Sequence, residues 1–123
     1  EGTSGWTAPE ILDQRPGPRP DARQADIFSF GVVIWEAVSG PGASARHPLC
    51  GLAGEEYCAA VAKGQRPSFP EDGDPCEEEA CIASQCWGFE AMSRPNIEEV
   101  LEQLARVLAA LRLFPSTCDS DVF

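Results

Sequence analysis

Residues 26–40 read DIFSFGVVIWEAVSG. Wound as a helix, this stretch is apolar on nearly every side, relieved only by Ser29, Gly31 and Glu36. The β-branched run Val32, Val33, Ile34 would also suit a buried strand. Length argues against a strand, and the ends agree. Asp26 is a helix-capping type, and Gly40 is the residue that most readily closes a helix. The reading is a helix about three to four turns long. Being apolar all round, it expects cover from other layers on every side.

Working outward, residues 13–25 (DQRPGPRPDARQA) carry three prolines and read as a loop. Residues 40–50 form a second loop rich in Gly, Ala and Ser. Leu52 to Lys63 reads as a moderate helix ended by Gly64, followed by an extended, proline-punctuated segment. A shorter helix is expected over Glu77 to Trp87, with Ile82, Cys86 and Trp87 inward. The last helix is the cleanest on periodicity. Ile97, Val100, Leu101, Leu104, Val107, Leu108 and Leu111 share one face, and Asn96 with Glu99 forms a capping-box pattern at its start. No internal repeat and no strand pair is evident. The fold class is mainly α, with one partial domain over residues 1–114 and a flexible tail over 115–123.

Composition narrows the function. The chain has 123 residues, 43% of them hydrophobic, enough for one packed domain. Its formal net charge of −11 argues against a nucleic-acid or anionic-membrane surface, both of which need concentrated Lys and Arg. Glu71, Asp72, Asp74, Glu77, Glu78 and Glu79 crowd one segment, read as a solvated loop entering a helix N-terminus. The first ten residues lack the basic start and apolar run of a signal peptide, and no apolar run is long enough to span a bilayer. A cytoplasmic location is the expectation. The six cysteines include no C-x-x-C pair, and Cys76, Cys81 and Cys86 recur at a spacing that fans them around a helix. Reduced, mostly buried thiols are expected, with no bound metal. His47 stands before Pro48 in a loop-like stretch.

The order of these pieces resembles the C-terminal lobe of eukaryotic protein kinases. Gly2-Thr3, then Trp6 and Ala8-Pro9-Glu10, look like that family's substrate-binding loop and its APE triplet. Asp26, Ser29 and Gly31 match its D-x-x-S-x-G signature, with Trp35-Glu36 following. Gly64, Arg66 and Pro67 resemble the motif after the next helix, and Cys86-Trp87 followed by Arg94-Pro95 matches the segment before the last one. A-P-E alone is weak; four motifs in order from residue 2 to about 111 are specific. The style resembles the tyrosine-kinase-like group of Ser/Thr kinases. Two features depart from the pattern: Glu90-Ala91 stands where Asp-Pro is common, and the 40–50 loop is longer and richer in glycine.

The resemblance implies an incomplete helical C-terminal lobe of the protein-kinase fold. It implies roles as well. Gly2, Thr3 and Trp6 would belong to the substrate loop, Thr3 contacting the catalytic aspartate. Glu10 and Arg94 would form a structural ion pair tying that loop to the helical body. Asp26 could cap its own helix and would accept from backbone amides of the catalytic loop. Trp6 and Trp87 read as core aromatics, and Ser4 as a weak phosphorylation candidate. None of the catalytic parts is in this sequence: no G-x-G-x-x-G, V-A-I-K, H-R-D or D-F-G. The chain itself therefore carries no catalytic residue and no cofactor; ATP and Mg2+ would be bound by a full-length parent. That parent would act on protein substrates, and its N-terminal half would pack against this one. Two functions remain open. One is the C-terminal part of a Ser/Thr kinase. The other is a catalytically dead, kinase-derived helical interaction module. An unrelated acidic adaptor imitating the motifs is a remote third.

Overall fold

The computed structural model describes residues 5–12, 19–70 and 77–113, with side chains as far as Ala110. Gly2, Thr3, Ser4, the acidic residues 71–76 and the tail after Leu113 lie outside the described residues. Among the described residues five α-helices follow one another: α1 (Pro9–Leu12), α2 (Ala22–Ser39), α3 (Gly54–Ala62), α4 (Glu77–Cys86) and α5 (Ile97–Leu113). Short 3-10 turns occupy Ala43–Arg46 and Ala91–Ser93. No described residue is in a strand, and no helix is long and apolar enough to cross a membrane.

The central helix is α2, and it starts earlier than its apolar core suggests. Asp21, not Asp26, is the cap: its backbone is extended and its carboxylate accepts from the Arg23 amide at 2.9 Å. The three prolines stop at Pro20, and Ala22, Arg23, Gln24 and Ala25 are all competent helix formers. The helix therefore recruits them, leaving Asp26 exposed and inside it. Gly40 closes α2 at φ +83°, its N–H bonded to the Glu36 carbonyl at 3.1 Å.

Helix α2 is not buried all round. Ala25, Ile27, Phe28, Gly31, Val32, Ile34 and Trp35 are covered, whereas Val33 remains 45% exposed. Its main partner is α4, which it crosses at Gly31. A Cβ on Gly31 would sit 2.8 Å from the Cys86 Cβ and 3.1 Å from the Ala83 carbonyl oxygen. Only a glycine permits so close an approach. Trp35, Tyr57, Phe28, Val32, Val61, Val100 and Cys86 make up the fully buried centre. Burial pushes the Cys86 thiol up to about 11, so it stays protonated and inert. The other described thiols are less covered than expected: Cys50 and Cys81 are exposed and Cys58 is half-buried.

The remaining helices keep their expected order. Helix α3 begins at Gly54 rather than Leu52 and ends in a Schellman turn, Gln65 N–H to Ala60 and Gly64 N–H to Val61. At the start of α5 the capping box is closed in both directions, Glu99 N–H to Asn96 Oδ1 at 2.8 Å and Asn96 N–H to Glu99 Oε1 at 2.9 Å. Its apolar face, however, is only partly covered. Val100 is buried and Leu104 and Val107 pack against the core, while Ile97, Leu101 and Leu108 are about half exposed.

Candidate functional site

Residues 5–10 run from Gly5 to the first turn of α1, and side chains from separate elements hold three consecutive backbone carbonyls. His47, just past the first 3-10 turn, meets the Gly5 oxygen through Nε2 at 2.9 Å. Ser29 on α2 donates to the Trp6 oxygen at 2.7 Å. Tyr57 on α3 donates to the Thr7 oxygen at 2.6 Å. The Cys58 thiol reaches the Pro9 oxygen at 3.4 Å. An irregular segment has no ladder to satisfy its carbonyls, so these side chains supply the missing partners and fix its path.

Trp6 adds a side-chain tie. Its indole N–H donates to Glu36 Oε1 at 3.2 Å, and its ring lies 4.9 Å from the His47 ring. Trp6 is half-buried, in keeping with an aromatic that packs inward while its polar edge finds a partner. Burial holds the Tyr57 phenol well above its ordinary 10.0, partly offset by the Arg66 charge, so it keeps the proton that it donates to Thr7. Tyr57→Phe is expected to cost about 1 kcal/mol, the net worth of one buried hydrogen bond, and urea midpoints measure it.

Glu10 and Arg94 close the far end of the segment. Arg94 Nη1 lies 2.7 Å from Glu10 Oε2 and Nη2 lies 2.9 Å from Oε1, a two-pronged pair. The Arg94 side chain is fully buried, and Glu10 retains 24% exposure. The same guanidinium donates to the carbonyls of Gly88, Gln24 and Phe89. Arg94 therefore ties α1, α2 and the 88–89 turn in one group. The 3-10 turn before it closes without the common Asp-Pro, through Ser93 N–H to Glu90 and Arg94 N–H to Ala91.

Arg66 plays a parallel part that its motif does not reveal. It donates to the carbonyls of Trp87, Val61 and Gln65, and burial lowers its pKa from the ordinary arginine value. Both guanidinium carbons lie over the Phe28 ring, Arg94 at 5.1 Å and Arg66 at 5.8 Å. Trp35 secures the segment after α3 by donating from its indole to the Ser68 carbonyl at 2.8 Å.

The structure thus brings together Trp6, Glu10 and Arg94 around residues 5–10, with Ser29 from the helix signature. Asp26 stands apart, exposed and without a hydrogen bond or ion pair to a described residue. It makes no cap. Gly2 and Thr3 lie outside the described residues. His47 and Tyr57 are the residues that sequence reasoning missed. The nearest signal was a histidine and a tyrosine among small residues, which motif order could not connect to Gly5 or Thr7. No three His, Cys, Asp or Glu side chains among the described residues gather so as to hold a metal ion. The arrangement is a cradle for a peptide segment, and its chemistry is positional.

Known proteins carry a similar stretch. Residues 2–104 match the family described as protein tyrosine and serine/threonine kinase. The chain is 32% identical over 108 residues to the serine/threonine-protein kinase STY17 of Arabidopsis thaliana, covering 87% of this chain and 17% of that protein. It is 30% identical over 106 residues to the serine/threonine/tyrosine-protein kinase HT1 of the same plant, covering 85% of this chain and 24% of HT1. It is also 32% identical over 98 residues to atrial natriuretic peptide receptor 2 of Homo sapiens, covering 77% of this chain and 9% of the receptor. The chain thus spans at most 24% of the length of these relatives. The kinases among them agree with the tyrosine-kinase-like style of the motifs. With the family match running from residue 2 to residue 104 and every described element helical, the chain belongs to the protein tyrosine and serine/threonine kinase family, as part of its helical C-terminal lobe.

Proposed function

We propose that this chain is the substrate-docking part of a protein Ser/Thr kinase whose complete form transfers the γ-phosphate of ATP to protein substrates. The observation that carries the reading is the cradle: carbonyls 5–7 held by His47, Ser29 and Tyr57, with Glu10 clamped by Arg94. A remnant kept only for its outer surface has no need of a peptide segment tied down so fully. In this reading Gly2, Thr3 and Trp6 present the substrate, and Thr3 meets the catalytic aspartate. Asp26, free of a described partner, accepts from the backbone amides of the catalytic loop. The half-exposed Val33, Ile97, Leu101 and Leu108 are the apolar surface that the rest of the kinase covers. ATP and Mg2+ belong to that other half, and the complete protein works in the cytoplasm.

The test is transfer of labelled γ-phosphate to Ser/Thr peptides by a longer protein that contains residues 1–123 unchanged. Asp26→Asn should lower kcat by about 10- to 100-fold, the equivalent of a lost charge-assisted hydrogen bond. In the 123-residue chain alone the same substitution should move the melting temperature little, since Asp26 is exposed there. Robust nucleotide binding with no transfer from the parent would favour the second reading, a kinase-derived interaction module. The likeness to a protein named as a peptide receptor rather than a kinase is the observation on that side.

A further inference from the structure

We infer that His47 is a positioning residue for the substrate loop: its neutral imidazole, seated between Leu49 and Gly5, sets where residues 5–7 lie, and protonation releases the Gly5 end. The inference rests on the reading of residues 5–10 as that loop. Its basis is geometric. The Leu49 N–H donates to His47 Nδ1 at 3.1 Å, so Nδ1 must be the bare nitrogen. The ring proton therefore sits on Nε2 and is donated to the Gly5 carbonyl at 2.9 Å. Both nitrogens are used and the tautomer is fixed.

The seat is tight. A Cβ on Gly5 would lie 2.9 Å from His47 Nε2, and Gly5 holds φ +103°, so glycine is required there twice over. The Trp35 ring meets the imidazole edge-on at 5.3 Å and the Trp6 ring lies across it at 4.9 Å. His47 is only 5% exposed. A second proton has to enter at Nδ1, where it would face the Leu49 N–H, so one hydrogen bond becomes a clash of donors.

Charged and titratable groups on the surrounding elements are Glu36 on α2, Arg46 in the adjoining 3-10 turn and Tyr57 on α3. Glu36 accepts from Trp6, Arg46 donates to the Ser39 carbonyl, and Tyr57 donates to Thr7. None of them holds a charge on the imidazole. Burial lowers the His47 pKa from 6.5, opposed in part by the Gly5 carbonyl. The seated state thus binds fewer protons than the released one. Its advantage is complete above pH 6.5 and is lost as pH falls below that value towards the lowered pKa. Ser29 and Tyr57 do not titrate in that window. The Trp6 and Thr7 carbonyls stay held, and release is confined to the end from which Gly2 and Thr3 continue.

The chain has a single histidine, so nuclear magnetic resonance of the ring is unambiguous. The experiment titrates the 123-residue chain over about pH 5 to 8, following the His47 ring together with the Trp6 and Trp87 indoles. Expected are the Nε2–H tautomer, a midpoint below 6.5, and a Trp6 shift on that same midpoint while Trp87 stays still. His47→Gln keeps a donor for Gly5 but cannot titrate, so the Trp6 transition should vanish. His47→Ala should keep the Trp6 indole signal at one position at every pH, with no transition. A midpoint at or above 6.5, the opposite tautomer, or a Trp6 signal indifferent to His47 overturns the inference. Trp87 moving on the His47 midpoint also overturns it, because the event is then unfolding of the whole chain. Absence of phosphate transfer from the longer protein would sink the kinase reading and leave the ring titration untouched, so the two failures are separable.

Discussion

Arg94→Ala should destabilise the chain by about 3–5 kcal/mol, the cost of leaving a buried partner charge behind. The pair itself adds little over an apolar substitute, because desolvation offsets most of the Coulomb attraction. The loss comes from what is stranded. Glu10 keeps only 24% exposure, and the carbonyls of Gly88, Gln24 and Phe89 lose their donor together. Few domains hold more than about 5–15 kcal/mol in total, so the variant should lie close to the unfolding limit. Arg94→Lys should not rescue it, since an ammonium cannot match a two-pronged carboxylate and reach three carbonyls from one plane. Glu10→Gln should be milder, because Glu10 is partly wet and Arg94 retains its three carbonyls. Urea unfolding followed by far-ultraviolet circular dichroism ranks the variants. Equal midpoints for Arg94→Ala and the native chain would show that the group does not hold α1 to the body.

At the α2–α4 crossing, Gly31→Val should cost about 3 kcal/mol, at the upper end for overpacking. Two effects oppose each other at this position. Replacing a helical glycine by alanine gains about 1 kcal/mol of helix propensity. Against that, the first added carbon would stand 2.8 Å from the Cys86 Cβ and 3.1 Å from the Ala83 carbonyl. Both belong to, or are fixed by, the α4 backbone and cannot swing aside. Separation of the helices must then loosen Phe28, Val32 and Ile82 along the same interface. Sterics should win, modestly for Gly31→Ala and fully for Gly31→Val. Cys86→Gly paired with Gly31→Ala should recover part of the loss, because it removes the clashing carbon itself. Thermal midpoints of the four proteins form a cycle that measures the coupling. A Gly31→Ala chain more stable than the native one would mean that the helices have room to move.

Helix existence was legible from short-range chemistry alone. The capping box at Asn96 and Glu99 and the closing glycines Gly40 and Gly64 involve partners within a turn or so, and local sequence carries that information. The start of α2 was not, because two aspartates each offer a cap and the choice depends on where the proline-rich approach releases the chain. Nor was the cover of α5. Its seven apolar positions mark a face, but periodicity does not say how much of that face a neighbour reaches.

The cradle around residues 5–10 divides the same way. Glu10 and Arg94 are 84 residues apart, yet both were named at once, because ordered family motifs carry each of them. Spacing had no part in it. His47 and Tyr57 lie 42 and 50 residues from the carbonyls they hold, and no motif marks them. By itself the sequence determined a mainly helical kinase lobe and the residues its motifs name. The tertiary structure alone decided which side chains complete the cradle. A backbone carbonyl presents the same acceptor at every residue, so only the closing of the chain in space selects the donor it receives.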